Sequence, residues 1–161
     1  METLKVLFVC HGNICRSTMA EFVMKDKVAR AGLARWIYIE SAGTSDEELG
    51  NPVYPGTRRI LARHGINCDG KYARRITKAD YARFDYLVGM DGANIRNMRR
   101  AWGGDPDGKV SLLLDFTDAP GREIDDPWYT DDFDSTWELV CEGCDGLLAE
   151  LRARLAGGQT D

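Results

Sequence analysis

The sequence predicts an α/β fold, an open four-stranded parallel sheet with helices on both faces. Four short apolar runs have the length of buried strands. They lie at residues 6–9, 36–39, 85–90 and 110–114. Segments with helical periodicity separate one run from the next, which is the alternation typical of parallel sheets. The length of 161 residues suits a single domain, which we place at residues 1–156, followed by a frayed tail at residues 157–161.

Residues that start helices lie between these runs. Pro55 suits the first turn of one helix, and Thr77 with Asp80 forms a capping arrangement for another. Asp91 is placed to cap the helix after the third strand. A polar loop at residues 45–55 leaves the end of the second strand, a position that borders the ligand crevice in such sheets. The predicted helices cover residues 19–31, residues 55–64, a short stretch from 77, a stretch from 91 that includes Ile95 and Met98, and a long C-terminal segment whose apolar stripe runs from Trp137 to Leu155.

The composition argues against several classes of protein. The net charge of −5 argues against nucleic-acid binding, because no overall positive field would attract phosphates. No apolar run approaches the roughly 20 residues that cross a bilayer, so we expect no membrane partner. The first residues lead directly into a strand and do not resemble a signal peptide, so we expect a cytoplasmic protein.

The five cysteines are not spaced like those of a secreted disulfide scaffold. Cys141 and Cys144 have the spacing of a redox or metal pair, but both lie on the apolar stripe of the last helix. We therefore interpret them as small core residues. Only two histidines are present, so a zinc site would need scattered ligands, and we predict no metal and no cofactor.

Residues 10–17, Cys-His-Gly-Asn-Ile-Cys-Arg-Ser, carry the chemistry. They lie between the first strand and the first helix, where unpaired backbone N–H groups and the positive helix end bind anions. That field favours the thiolate of Cys10, and Ser17 is a hydroxyl donor to it. Arg16 adds a planar fork of donors that suits two oxygens of a phosphate. Together these residues predict a cysteine nucleophile that attacks a bound tetrahedral oxyanion.

This loop resembles the signature of the low-molecular-weight protein tyrosine phosphatases, a family with a flavodoxin-like fold. Thr18 stands where members usually carry proline, but threonine is able to cap a helix end, so we expect little functional effect. An acidic loop at residues 115–132 contains Asp-Pro-Trp-Tyr, which matches the Asp-Pro-aromatic motif of the family. Shorter matches lie at residues 41–44, 61–66, 73–74, 84–86 and 90–94. Residues 45–57 match less well, which leaves the substrate preference of that region open.

The resemblance implies an enzyme that removes phosphate from protein phosphotyrosine through a phosphocysteine intermediate, without a metal. Cys10 would be the nucleophile, and Arg16 with the backbone amides of residues 11–16 would bind the phosphate oxygens. The partners implied are a tyrosine-phosphorylated protein or an aryl phosphate as substrate, and phosphate or other oxyanions as inhibitors. The implied substrate-binding residues are His11, Gly12, Asn13, Ile14, Cys15, Ser17, Trp128 and Tyr129.

The general acid in this resemblance is Asp126, which would protonate the leaving phenolate and then deprotonate the attacking water. Pro127 supports this choice because it restricts the residue before it to an extended conformation. The neighbouring Asp125 is the fallback. Trp128 and Tyr129 would stack on the substrate ring, although they are also interpretable as core aromatics that anchor the loop.

Three further roles concern the nucleophile loop. Asn13 tolerates a positive φ and is expected to hold the loop by hydrogen bonds. The resemblance implies that His64 supports Asn13 and does not react. It also implies that Cys15 forms a reversible disulfide with Cys10, which would protect the nucleophile from over-oxidation.

Three other functions fit the same fold. One is a phosphoarginine phosphatase. Threonine at the position of Ile14 favours phosphoarginine as the substrate, whereas an apolar residue there favours the aromatic ring of phosphotyrosine. A thioredoxin-coupled arsenate reductase needs further cysteines that reach the nucleophile, and the remaining ones are Cys68, Cys141 and Cys144. A sugar-transport phosphocarrier would need neither Arg16 nor a hydrolytic aspartate.

Overall fold

The structure is a computed structural model that describes residues 2–159, and it confirms the predicted fold class. Its strands are β1 (Leu4–Cys10), β2 (Ile37–Gly43), β3 (Tyr86–Gly89) and β4 (Val110–Leu112). They form one parallel sheet in the order β2-β1-β3-β4. The register aligns Cys10 with Gly43 on β2, and Val9 with Gly89 on β3, so three strands end at the same edge of the sheet.

Helices cover both faces of this sheet, as predicted. Within the described residues they are α1 (Arg16–Arg30), α2 (Pro55–Arg63), α3 (Lys78–Arg83), α4 (Gly92–Trp102), α5 (Pro127–Thr130) and α6 (Phe133–Gln159). Successive side chains of a strand point to opposite faces. Val6 and Phe8 of β1 accordingly pack with α1, α2 and α6, whereas Leu7 and Val9 pack with α3 and α4. β1 is therefore enclosed on both sides, and its last residue, Cys10, lies at the edge where a ligand binds in open α/β sheets.

The predicted helix starts are confirmed at two caps. Thr77 and Asp80 form a capping box at α3, and the Asp91 carboxylate accepts from the Asn94 backbone N–H at 2.9 Å at the start of α4. Pro55 occupies the first turn of α2. Within residues 2–159 no helix combines the length and the apolar character that crossing a bilayer requires.

Several element boundaries differ from the prediction. α1 begins at Arg16 and not at residue 19, so Arg16 lies in its first turn. β4 ends at Leu112, and Leu113 and Leu114 enter a 3-10 helix (Leu113–Phe116). Both leucines are buried, which explains the error, because an apolar run indicates burial and does not by itself distinguish a strand from a helical turn. The four-residue α5 lies in the acidic loop and was not predicted.

The structure agrees in part with the predictions for the C-terminal tail and for the two cysteines of the last helix. α6 continues through Gln159, so residues 157–159 of the expected tail are helical, whereas residues 160–161 lie outside the described residues. Cys144 is fully buried against α1, as its place on the apolar stripe predicts. Cys141 is only half-buried, at the border of the same core.

Candidate active site

Most of the nucleophile loop, residues 10–17, is buried, and His11 is its exposed member. Cys10, Asn13, Cys15, Arg16 and Ser17 are each at most 4% exposed. Asn13 adopts a φ of 62°, a left-handed conformation that asparagine tolerates better than most residues, as the sequence predicts. This reversal turns the chain from the end of β1 into α1, so the first backbone N–H groups of the helix border the loop.

The end of β2 packs tightly against this loop. A Cβ atom on Gly43 would lie 2.8 Å from the His11 carbonyl oxygen, so the approach requires glycine. The backbone N–H of Thr44 donates to the Cys10 carbonyl at 2.9 Å, and that of Ser45 donates to the His11 carbonyl at 3.1 Å. The strand that follows β1 in sequence therefore fixes the position of the nucleophile's backbone.

The Cys10 thiol lies 3.0 Å from the hydroxyl of Ser17. The Asn13 Nδ2 group donates to that hydroxyl oxygen at 2.9 Å. Because Asn13 supplies the donor in this second contact, Ser17 keeps its own hydrogen for the sulfur of Cys10. The predicted hydroxyl donor to the nucleophile is therefore within hydrogen-bond reach.

The expectation that His64 supports Asn13 is wrong. Asn13 Nδ2 also donates to the Ser41 hydroxyl at 2.9 Å, and its Oδ1 accepts from the Arg74 backbone N–H at 3.1 Å. His64 ends α2 and stacks on Trp137, with ring centroids 4.0 Å apart and an angle of 9° between the planes. Its neighbours are on α6, a tertiary contact that the local sequence does not encode.

Arg16 is 2% exposed and is held from one side of its guanidinium. Nη1 donates to Asp91 Oδ2 at 2.7 Å and to the Ile124 carbonyl at 2.9 Å. Nη2 lies 3.5 Å from Asp126 Oδ2, and Nε is buried without a hydrogen-bond partner in the described residues. A buried donor of this kind is costly unless a ligand uses it, and the Nε–Nη2 edge has the fork geometry that fits two phosphate oxygens.

The charges around Arg16 and Asp91 keep both groups ionised. Burial lowers the pKa of the Arg16 guanidinium, but the facing Cys10, Asp91 and Asp126 outweigh it, and the pKa is raised. Burial raises the pKa of the Asp91 carboxyl, but the hydrogen bonds from Arg16 and from the Asn94 backbone outweigh it, and the pKa is lowered. Asp91 was predicted only as a helix cap. Its position directly after β3, the neighbour of β1, is a signal that places it near the nucleophile.

Asp126 lines the pocket and is the N-cap of α5. Its φ of −76° and ψ of 115° are extended, as Pro127 predicts. Oδ1 accepts from the Trp128 backbone N–H at 3.0 Å, and Oδ2 faces Arg16. Asp126 lines the same pocket as Cys10, whereas the fallback, Asp125, is exposed and is not part of that lining.

Both aromatic residues of the Asp-Pro-Trp-Tyr motif stand at this pocket. Trp128 is 51% exposed and Tyr129 is 83% exposed, so the interpretation that they are core aromatics is wrong. Trp128 contacts the ring of Tyr54 edge-on, with centroids 5.1 Å apart. The complete lining is Cys10, His11, Gly12, Ile14, Cys15, Glu47, Glu48, Asp126, Trp128 and Tyr129.

The lining includes two residues that sequence reasoning did not single out, Glu47 and Glu48. They lie in the loop at residues 45–55 that was predicted to border the crevice. Glu47 Oε2 lies 3.0 Å from His11 Nε2, which joins this loop to the nucleophile loop at the rim of the pocket. The position of the loop was predictable from strand order, but the identity of its contacts was not.

Cys15 is almost as deeply buried as Cys10 and lines the same pocket. Burial, followed by the charges of Cys10 and Asp126, raises the pKa of the Cys15 thiol to about 12. Cys15 is therefore a thiol at neutral pH. Within residues 2–159, no group of three or more His, Cys, Asp and Glu side chains is placed to hold a metal ion.

Comparisons with known proteins agree with this geometry. A model of the low molecular weight phosphotyrosine protein phosphatase family matches residues 5–156. The low molecular weight protein-tyrosine-phosphatase YfkJ of Bacillus subtilis is 41% identical over 150 residues, 92% of this chain and 96% of the relative. The crystal structure of YfkJ superposes with a TM-score of 0.92 over 96% of this chain and 98% of that one, at 39% identity. A Drosophila arginine phosphatase is 30% identical, with a TM-score of 0.81 over 92% of this chain and 98% of that one. On the family match and these relatives, the chain belongs to the low-molecular-weight protein tyrosine phosphatases.

Proposed function

We propose that this chain removes phosphate from phosphotyrosine in proteins, by transfer of the phosphoryl group to Cys10 and then to water. The observation that carries the proposal is that Cys10 and Asp126, which are remote in sequence, line one pocket, and that Arg16 Nη2 lies 3.5 Å from the Asp126 carboxylate. A nucleophile, a cation with a spare donor edge and an acid are the three parts that hydrolysis of a phosphomonoester needs.

The phosphate would bind in the nucleophile loop. The Nε–Nη2 edge of Arg16 faces two of its oxygens, and backbone N–H groups of residues 11–16 face the remainder. Asp91 holds the guanidinium from behind, so the donors need no rearrangement as charge develops in the transition state. Such preorganised donors are usually the largest single contribution to catalysis.

Asp126 has opposite roles in the two chemical steps, as an acid in the first and as a base in the second. In the first, Cys10 Sγ attacks phosphorus, the bond to the phenolic oxygen breaks, and Asp126 donates its proton to that oxygen. In the second, the Asp126 carboxylate takes a proton from the attacking water, the phosphorus–sulfur bond breaks, and Cys10 leaves as a thiolate. Ser17 stabilises this thiolate by hydrogen bonding at 3.0 Å.

Aromatic substrates are favoured by the residues around the nucleophile. Ile14 is an apolar side chain in the pocket lining, and Trp128 and Tyr129 present exposed rings at the mouth. The Drosophila arginine phosphatase shares this fold, so the fold alone does not decide between phosphotyrosine and phosphoarginine. We expect Ile14→Thr to lower the ratio of kcat/KM for a phosphotyrosine peptide to that for a phosphoarginine peptide. If the wild type prefers phosphoarginine, the assignment of substrate is wrong.

The positions of the cysteines give little support to the redox alternative, a thioredoxin-coupled arsenate reductase. Of the five, all within the described residues, Cys15 is the one that lines the pocket with Cys10. Cys144 is in the core, 3.9 Å from the Ala20 carbonyl oxygen, and Cys68 is buried in a separate region. We propose instead that Cys15 serves only the nucleophile: after peroxide converts the Cys10 thiolate to a sulfenic acid, the Cys15 thiol forms a disulfide with it and water leaves.

We also propose a compartment, substrates and inhibitors for the enzyme. All five cysteines are free thiols, which is typical of a reducing compartment, and we assign the protein to the cytoplasm. Tyrosine-phosphorylated proteins and aryl phosphates are the proposed substrates. Inorganic phosphate and other tetrahedral oxyanions are the proposed competitive inhibitors, because they fit the same Arg16 edge.

Steady-state hydrolysis of p-nitrophenyl phosphate in the presence of a chelator tests the proposal. We expect turnover by the wild type and by the control Cys141→Ser, and a loss on the order of 10⁴ or more for Cys10→Ser. Retained activity in Cys10→Ser would contradict the assignment of the nucleophile. A wild type that is inert towards phosphate esters but reduces arsenate with a thiol donor would establish the redox alternative, and stable phosphorylation without turnover would establish a carrier.

A further inference from the structure

A half-buried carboxylate stands at the mouth of the pocket, and the reaction proposed above makes no use of it. Glu48 belongs to the loop at residues 45–55 and lines the pocket. Its stem packs on the nucleophile loop, since a Cβ atom added to Gly12 would lie 3.3 Å from Glu48 Cγ. One carboxylate oxygen, Oε2, accepts from Asn51 Nδ2 at 2.6 Å. Two contacts therefore hold this side chain beside the nucleophile loop.

Glu48 is the last of three consecutive acidic residues, and it differs from the other two in its partners. Asp46 pairs with Arg75 at 3.6 Å, and Glu47 pairs with His11 at 3.0 Å. Within residues 2–159, Glu48 has no cationic partner, and its Oε1 accepts no hydrogen bond. A fixed carboxylate without a counter-ion remains available to a cation on a ligand.

The backbone that carries Glu48 is fixed by its own hydrogen bonds. The Asn51 N–H donates to the Glu48 carbonyl at 2.9 Å. The Gly50 N–H donates to the Ala73 carbonyl at 2.9 Å, and the Ala73 N–H donates to the Asn51 carbonyl at 2.8 Å. A charge that is already ordered loses less side-chain entropy when it forms an ion pair than a mobile surface glutamate does.

The charge of Glu48 is unfavourable for a phosphate that binds alone. Within residues 2–159, no lysine or arginine lines the pocket, and its acidic lining residues are Glu47, Glu48 and Asp126. An independent observation indicates that an anion enters, because Arg16 is 2% exposed and its Nε has no partner in this part of the chain. A carboxylate close to a bound phosphate repels it, so Glu48 weakens binding unless the substrate carries a compensating cation.

A phosphotyrosine peptide would bring such a cation to the mouth of the pocket. With its phosphate in the buried nucleophile loop, its ring would extend towards the exposed rings of Trp128 and Tyr129, and its backbone would lie at the mouth beside Glu48. We propose that Glu48 is a specificity-determining residue that binds a lysine or arginine side chain next to the phosphotyrosine of the substrate. This preference rests on the proposed function, and it makes basic phosphopeptides the substrate class.

The experiment compares kcat/KM for three phosphotyrosine peptides that carry lysine, glutamine or glutamate on both sides of the phosphotyrosine. We expect the wild type to prefer the lysine peptide to the glutamate peptide about tenfold, the scale of one attraction gained and one repulsion avoided between partly exposed charges. This ratio should fall to about two or less in Glu48→Gln and invert in Glu48→Lys. A wild-type ratio near one, or an unchanged ratio in Glu48→Gln, overturns the proposal.

Asp46→Asn is the matched control for the lost charge. Asp46 lies two residues before Glu48, but it is paired with Arg75 and is outside the pocket lining. We expect the preference for the lysine peptide to persist in this variant. A loss equal to that in Glu48→Gln would mean that the overall charge of the surface selects the substrate, which overturns the role of Glu48.

Phosphoarginine is a second source of the same cation, because its guanidinium adjoins the phosphate. If Glu48→Gln lowers kcat/KM for a phosphoarginine peptide and leaves the lysine-to-glutamate ratio unchanged, Glu48 recognises that guanidinium and the proposal is overturned.

Binding separates a failure of this preference from a failure of the proposed function. If the wild type hydrolyses none of the phosphotyrosine peptides, the proposed function is wrong. Titration calorimetry of the lysine and glutamate peptides with Cys10→Ser needs no turnover and should still show the preference for lysine as a ratio of Kd values. Equal Kd values for the two peptides would overturn the role of Glu48 whether or not the wild type turns them over.

Discussion

Two segments share the pocket but are held in different ways. One is the nucleophile loop, residues 10–17, and the other is the segment that carries Asp126, residues 125–133, which we call the acid loop. In the first, Cys10, Asn13, Arg16 and Ser17 are buried, Asn13 is bonded to Ser41 of β2, and Arg16 is bonded to Asp91 at the start of α4. In the second, the Asp126 carboxylate accepts from one backbone N–H and lies 3.5 Å from Arg16 Nη2, and its neighbours Trp128 and Tyr129 are largely exposed.

The acid loop is anchored by aromatic contacts instead. The Phe133 ring stacks on Tyr54 with centroids 5.8 Å apart, and Tyr54 in turn contacts Trp128. Gly56 lies so close that a Cβ atom there would approach Phe133 to 2.4 Å. In the proposed mechanism, the donors to phosphate are therefore preorganised by burial, whereas the position of the proposed acid depends on a small aromatic cluster at the surface.

The largest effect is expected inside the nucleophile loop, from Arg16→Lys. Lysine keeps the charge but loses the planar fork, so its single ammonium cannot both contact Asp91 and replace the Nε–Nη2 donor edge. We expect kcat for p-nitrophenyl phosphate to fall by about 10³. The control is Arg58→Lys on the exposed side of α2, which should retain full activity. Equal losses in both variants would show that the fork has no specific role.

A smaller effect is expected in the acid loop, from Asp126→Asn. The amide cannot donate a proton to the leaving oxygen, so kcat/KM for phenyl phosphate should fall on the order of 10² or more. The loss should be smaller for p-nitrophenyl phosphate, whose more acidic leaving group needs less protonation. The basic limb of the pH profile should also flatten.

Asp125→Asn is the matched control for this acid. Asp125 is adjacent in sequence but exposed, so its variant should behave like the wild type. If Asp125→Asn shows the dependence on leaving group and Asp126→Asn does not, the assignment of the acid is reversed.

A still smaller effect is expected from Gly56→Ala, which acts on the anchor of the acid loop. The new methyl group would collide with the Phe133 ring and displace the segment that follows α5. We expect kcat/KM to fall about tenfold through misplacement of Asp126, while alkylation of Cys10 stays at the wild-type rate. The double variant Gly56→Ala/Phe133→Leu should recover part of the loss. A parallel loss of Cys10 alkylation would mean that the two loops are not held independently.

The smallest effect concerns stability, through Asp91→Asn. The pKa of the Asp91 carboxyl is lowered in the folded protein, so its contribution is present above the unfolded pKa of about 4 and is lost as the pH falls through the folded pKa. We expect the variant to be about 1 kcal/mol less stable at pH 7 by urea denaturation. The difference should shrink below about pH 4. The exposed Asp118→Asn is the control, and a difference independent of pH would contradict this account.

Local sequence was sufficient for the nucleophile loop because its function depends on short-range geometry. The positive φ of Asn13, the place of Cys10 at the end of β1 and the extended backbone before Pro127 each follow from the residue type and its neighbours. The partners of Asn13 were not predictable in this way. His64 was expected and Ser41 and Arg74 were found, because a hydrogen-bond partner depends on which strand lies alongside.

The same division applies to the molecule as a whole. The sequence by itself determined the alternation of strands and helices and the helix caps at Thr77 and Asp91, and it supplied Cys10, Arg16 and Asp126 as candidate residues, since apolar periodicity and motif spacing are properties of short segments. Only the tertiary structure decided that Asp91 holds Arg16, that Phe133 anchors the acid loop and that Ser41 and Arg74 hold Asn13. These contacts join residues remote in sequence, and they arise from strand order and side-chain packing, which no local pattern records.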